Sequence, residues 1–111
     1  MAVKPPKEID LYWRPGCGFC MALDRGLSGY EIPINRHNIW DSAEAAAFVR
    51  THANGSETVP TVRIGSSVLV NPTAHQVLLT IQAEAPHLLP EGFEPPAQSK
   101  VGRFVNRILG G

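Results

Sequence analysis

An excess of charge of either sign is missing: ten Lys and Arg balance ten Asp and Glu, so no net field draws the chain to a phosphate backbone or an anionic lipid surface. Nucleic acid and membrane are therefore not expected partners. Long apolar runs are missing too. No stretch approaches the roughly 20 residues that span a bilayer, and the opening MAVKPPKEIDLYW lacks the apolar core of a signal peptide, so a soluble, cytoplasmic chain is expected. Internal repeats are absent. Cysteine is scarce, with two residues in 111, and His37, His52, His75 and His87 are too scattered to complete a four-ligand zinc site with them. No metal is expected. A bridge closing so small a loop would add little stability, and in a reducing compartment a lone Cys pair is more often chemical than structural.

Both cysteines lie in Trp13-Arg14-Pro15-Gly16-Cys17-Gly18-Phe19-Cys20, where an apolar strand gives way to a helix. At a helix N-terminus the unpaired backbone N–H groups and the macrodipole favour an anion, here the thiolate of Cys17. Cys20 falls one turn further in, placed to resolve a mixed disulfide formed on Cys17. The pair reads as a redox site, with Arg14 either a second source of thiolate stabilisation or simply a solvated strand-end cation. Lowering a thiol from about 8.5 to about 6 would make it mostly ionised at neutral pH.

Around this motif the chain divides into short elements. Glu8–Trp13 alternates, with Ile9, Leu11 and Trp13 on one face, and predicts a strand. Cys20, Leu23 and Leu27 recur at helical spacing, so a helix is expected from about Cys17 to Leu27. Glu31–Ile39 offers a second strand with Ile32, Ile34 and Ile39 inward, and Pro33 suggests an edge. This βαβ unit implies parallel strands with a right-handed crossover. Asp41 with Glu44 resembles a capping box for a helix carrying Ala45, Phe48, Val49 and His52 on one face, His52 as a surface or packing residue, with Gly55 just past its end. Thr61–Ile64 and Ser67–Val70, joined by Gly65-Ser66, read as a hairpin with a type II′ turn. Asn71-Pro72, or alternatively a Thr73/Gln76 box, opens a last helix carrying Val77, Leu78, Ile81 and Ala85 inward.

The order βαβ, α, ββα is that of a minimal thioredoxin fold, an α/β architecture with a mixed four-stranded sheet flanked by helices. We expect it to occupy residues 1–85. After Ala85, Pro86, Pro90, Pro95 and Pro96 with Gly92 read as a linker without regular structure. Val101, Phe104, Val105, Ile108 and Leu109 then recur at helical spacing among Lys100, Arg103 and Arg107. A short amphipathic C-terminal helix is expected within 86–111, docked on the domain.

With Cys17-Gly18-Phe19-Cys20, Thr58-Val59-Pro60-Thr61 and Asn71-Pro72 in place, the chain resembles the glutaredoxin family, and most of all its actinobacterial members, the mycoredoxins. The likeness covers about residues 8 to 85. It departs from those proteins at Gly16, where they carry an aromatic residue, and in the tail. The resemblance implies that Cys17 is the attacking and Cys20 the resolving cysteine, and that Pro60 follows a cis bond which turns the Val59 backbone toward Cys17. It also implies that Asn71, Pro72 and Thr73 hold a substrate carboxylate at a helix N-terminus, although helix capping accounts for them equally well. Arg14, Pro15, Phe19 and Thr58 complete the expected substrate-binding set; Trp13 is assigned to the core, and Asp10 and Asp24 to solvated or structural roles.

The implied activity is thiol–disulfide exchange on mixed disulfides between proteins and a low-molecular-weight thiol. Mycothiol is the implied co-substrate, with an NADPH-dependent reductase upstream; the residue spacing alone does not separate it from glutathione. No tightly bound cofactor is expected, and the chain is expected to act as a monomer on S-thiolated or disulfide-bonded proteins. Two alternatives stand beside this: a dithiol reductase fed by thioredoxin reductase, and a module binding a [2Fe–2S] cluster between two chains, which Gly18 leaves open.

Overall fold

The computed structural model describes residues 5–95. The expected C-terminal helix lies outside them. Strand β1 (Ile9–Trp13) leads into helix α1 (Gly18–Leu27), and a single 3-10 turn (Ser28–Tyr30) returns the chain to β2 (Ile34–Asn38). Helix α2 (Ala43–His52) precedes the hairpin of β3 (Thr61–Ile64) and β4 (Ser67–Val70), and α3 (Ala74–Glu84) follows. The sheet order is β2-β1-β3-β4, with β1 parallel to β2 and antiparallel to β3. This is the mixed sheet of the thioredoxin fold, and β2, which Pro33 precedes, is an edge.

Two apolar cores lie on the two faces of this sheet. One joins Ile9 and Leu11 of β1 to Leu23 and Leu27 of α1, Val62 and Ile64 of β3, and Val77, Leu78 and Ile81 of α3. The other gathers Tyr12, Ile39, Ala45, Ala46 and Val49 about the two cysteines and Val59. Alternation along β1 left Tyr12 outward, but α2 covers that second face and buries it, while Trp13 is only half-buried. Tyr12 stacks between the rings of His37 and Phe48. Burial, helped by nearby Asp10 and opposed by Arg63, raises its phenol above the ordinary value of 10.0.

Helix starts differ in detail from the sequence reading. Asp41 does not cap α2, because it belongs to the preceding turn, with its N–H on the Asn38 carbonyl and its carboxylate accepting from the Asn38 amide. Ser42, extended, takes the role and accepts from the Ala45 N–H at 3.1 Å. At that helix's end His52 lies exposed on the helix surface, and the chain reverses through Asn54 and Gly55, both at positive φ. Asn71 likewise is no cap: its φ of 52° is left-handed, whereas a cap is extended. Thr73 caps α3 instead, in a full box with Gln76. At the hairpin Gly65 has φ 58°, the conformation a type II′ turn asks of its first central residue.

Packing against the first core continues beyond Ala85. Pro86–Leu88 form one 3-10 turn where no regular element was expected, Leu88 is buried, and Leu89 and Phe93 pack against the same cluster. Among the described residues no helix is long and apolar enough to cross a membrane.

Candidate active site

Parallel β1 and β2 end side by side, tied by the Ile39 N–H to the Trp13 carbonyl at 2.9 Å. From that end the chain must turn sharply into α1. Gly16, at φ 78°, supplies the left-handed step that a side chain would resist. Cys17 then sits in extended conformation as the N-cap of α1, and its Sγ accepts the Cys20 N–H at 3.1 Å. The position normally taken by Ser, Thr, Asp or Asn is thus held by a sulfur, and the backbone donor aimed at it stabilises negative charge there.

Cys17 and Cys20 are joined as a disulfide and are 5% and 4% exposed. The Cys17 Sγ lies 3.7 Å from the Val59 carbonyl oxygen. The Val59–Pro60 bond is cis, and both residues are buried. The loop that carries them is fixed on two sides: the Thr61 hydroxyl donates to the Thr58 carbonyl, and the Asn71 N–H donates to the Pro60 carbonyl at 2.7 Å. Asn71 leaves β4 in a left-handed conformation with its N–H committed to this loop, so the junction between β4 and α3 is held against the cysteine end of the molecule.

The expected substrate-binding residues fall into two places. Phe19, Ala22 and Leu23 of α1 face Asn71, Pro72 and Thr73 across a groove of about 320 Å³ on the α3 flank of α1. Phe19 is 72% exposed there. Arg14 does not line this groove. It lines a cavity of about 220 Å³ on the opposite flank, between α1 and β2, with Leu11, Trp13, Gly16, Cys20, Met21, Asp24 and Arg36. Its one side-chain hydrogen bond is to the neighbouring Pro15 carbonyl at 3.3 Å, and it joins no ion pair among the described residues. Pro15 is exposed, and Thr58 shares a hydrogen bond with Ser56.

The second cavity was not foreseen. Its one visible sign in the sequence is Met21, an apolar residue off the Cys20, Leu23, Leu27 stripe; Leu11 and Arg36 join it only through the pairing of β1 with β2. Asp24 is held in an ion pair with Arg36, and Asp10 shares a 2.8 Å hydrogen bond with His37. Among the described residues no group of three or more His, Cys, Asp or Glu side chains comes together as a metal-ligand set.

A family model described as Glutaredoxin matches residues 9–69. Two curated relatives, Rv3198A of Mycobacterium tuberculosis strain H37Rv and MT3292 of strain CDC 1551, both named as glutaredoxins, are each 34% identical over 70 residues, spanning 62% of this chain and 83% of the relative. Among solved structures, a mutant of the thioredoxin-like protein BC3987 superposes with a TM-score of 0.56 at 20% identity, over 68% of this chain and 99% of the other. The glutaredoxin of Brucella melitensis gives 0.52 at 22% identity, over 82% and 99%. These two likenesses bear on the fold.

Proposed function

Because the chain belongs to the glutaredoxin family of thiol–disulfide oxidoreductases, we propose that it reduces mixed disulfides between proteins and a low-molecular-weight thiol, in the manner of the mycoredoxins. The observation that carries this reading is the cap of α1, a cysteine sulfur receiving a backbone N–H at a helix N-terminus beside the Val59 carbonyl. The Cys17 thiolate attacks the sulfur of the small-thiol half, forming a new S–S bond there. The protein sulfur leaves as a thiolate and takes a proton from solvent. A second small thiol, as thiolate, attacks the sulfur bound to Cys17, restoring that thiolate and releasing the oxidised small thiol to an NADPH-dependent reductase.

The groove formed by Phe19, Asn71, Pro72 and Thr73 is the proposed seat of the small thiol, with Thr58, Val59 and Pro60 forming its wall at Cys17, and Arg14 and Pro15 at the rim of the site. The likeness to actinobacterial members of the family favours mycothiol as that thiol, and the proposed working form is a cytoplasmic monomer. Side-by-side assays with mycothiol, glutathione and thioredoxin reductase test this: turnover is expected with mycothiol. Turnover only with thioredoxin reductase defeats it.

The Cys17–Cys20 disulfide favours a second reading, direct reduction of protein disulfides by both thiols. Cys20→Ser separates the two, since a cycle through the small thiol survives that change and a dithiol cycle does not.

A further inference from the structure

Two depressions flank the first turns of α1, both mostly apolar in lining. The one toward α3 ends on the start of a helix and suits a polar group. The one toward β2 is walled by Leu11, Trp13 and Met21, with Gly16 and Cys20 lining it beside the reacting sulfurs. Met21 is 62% exposed and takes no part in the buried stripe of its helix, so the domain's own packing makes no use of it. A thioether at the mouth of an apolar cavity is a surface that adapts to an incoming side chain.

We infer that this cavity receives one large apolar side chain, of the Leu, Met or Phe class, carried by the thiolated protein within a few residues of its modified cysteine. The inference rests on the mixed-disulfide reading. With the small thiol in the groove on the α3 flank, the flank left free for the protein half of the disulfide is the one toward β2, where the cavity reaches Gly16 and Cys20. Its volume of about 220 Å³ admits a single side chain rather than an element of structure. Charge at the rim narrows the partner further. Arg36 is paired with Asp24 whereas Arg14 has no such partner among the described residues, so a basic residue next to the anchor is disfavoured.

Peptides of equal length, S-thiolated at a single cysteine and differing at one neighbouring position as Leu, Ser or Lys, test this. Each kcat/KM is divided by that for a mixed disulfide lacking any peptide. The Leu peptide is expected to exceed the Ser peptide by about tenfold, the worth of burying one such side chain against an adaptable wall, with Lys below both. Met21→Gln is expected to bring Leu down close to Ser. A wild type that treats Leu and Ser alike overturns the inference, and so does a Met21→Gln protein that keeps the full preference. Sedimentation of both proteins adds one more outcome: a wild-type dimer that Met21→Gln dissolves gives the cavity to a second copy of the chain, and the inference falls. Failure of the wild type on the peptide-free mixed disulfide would instead bring down the reading on which it rests.

Discussion

At Cys17 the side chain proposed to react also caps its helix, and this separates activity from stability. Serine is a good N-cap but cannot form a mixed disulfide. Cys17→Ser is therefore expected to reduce turnover of any mixed disulfide to below about one per cent while leaving the reduced protein's urea midpoint nearly unchanged; turnover well above that level would remove Cys17 from its proposed role. A second residue-scale expectation concerns Tyr12, whose phenol burial raises. A raised folded value means the neutral form is favoured by folding, so its contribution is fully present below the unfolded value of about 10 and is lost as pH rises through the folded one. Between pH 9 and 11 the melting temperature of the wild type should fall more steeply than that of Tyr12→Phe, and parallel curves would contradict this. The cysteine pair was legible in the sequence because its members are neighbours in the chain. The place of Arg14 was not, because it depends on which strand lies beyond α1, a long-range fact.

Element types were legible from periodicity, and their ends from turn chemistry, but caps were resolved only when tertiary demands were known. Two overlapping signals stood at the start of α3, Asn71-Pro72 and Thr73 with Gln76. Asn71 was taken out of contention by its bond to the Pro60 carbonyl, which holds it left-handed. Asp41 lost the start of α2 to Ser42 in the same way, through its engagement with Asn38. The box at Thr73 satisfies two backbone donors, Gln76 N–H to the Thr73 hydroxyl at 3.1 Å and Thr73 N–H to the Gln76 side chain at 2.9 Å. Thr73→Ala is expected to cost about 1 kcal/mol, measured by denaturant unfolding of the oxidised protein. A loss below a few tenths would mean that tertiary packing, not the box, fixes that helix start.

For the whole molecule, the order β2-β1-β3-β4 puts α1 between its two depressions and places a core on each face of the sheet. The parallel pair and the hairpin could be inferred from the chain order, whereas the burial of Tyr12 could not, since nothing local says that α2 returns across the second face. One contact between helices has a reach beyond packing. A Cβ built on Gly26 of α1 would meet the Cβ of Ala74, the first residue of α3, at 2.7 Å, so the two helices approach as closely as a missing side chain allows. Gly26→Ala, which elsewhere in a helix would gain stability, should here lose about 1–3 kcal/mol in urea unfolding, because overpacking outweighs propensity. An unchanged or raised midpoint would show that α3 can give way freely. Ala74 directly follows the Asn71–Thr73 segment that forms one bank of the proposed substrate groove, while Gly26 shares its helix with Phe19 on the other. The bare α-carbon therefore works as a gauge block for the width of the groove, and a single methyl group inserted behind it would retune which thiols fit without altering any atom that touches them.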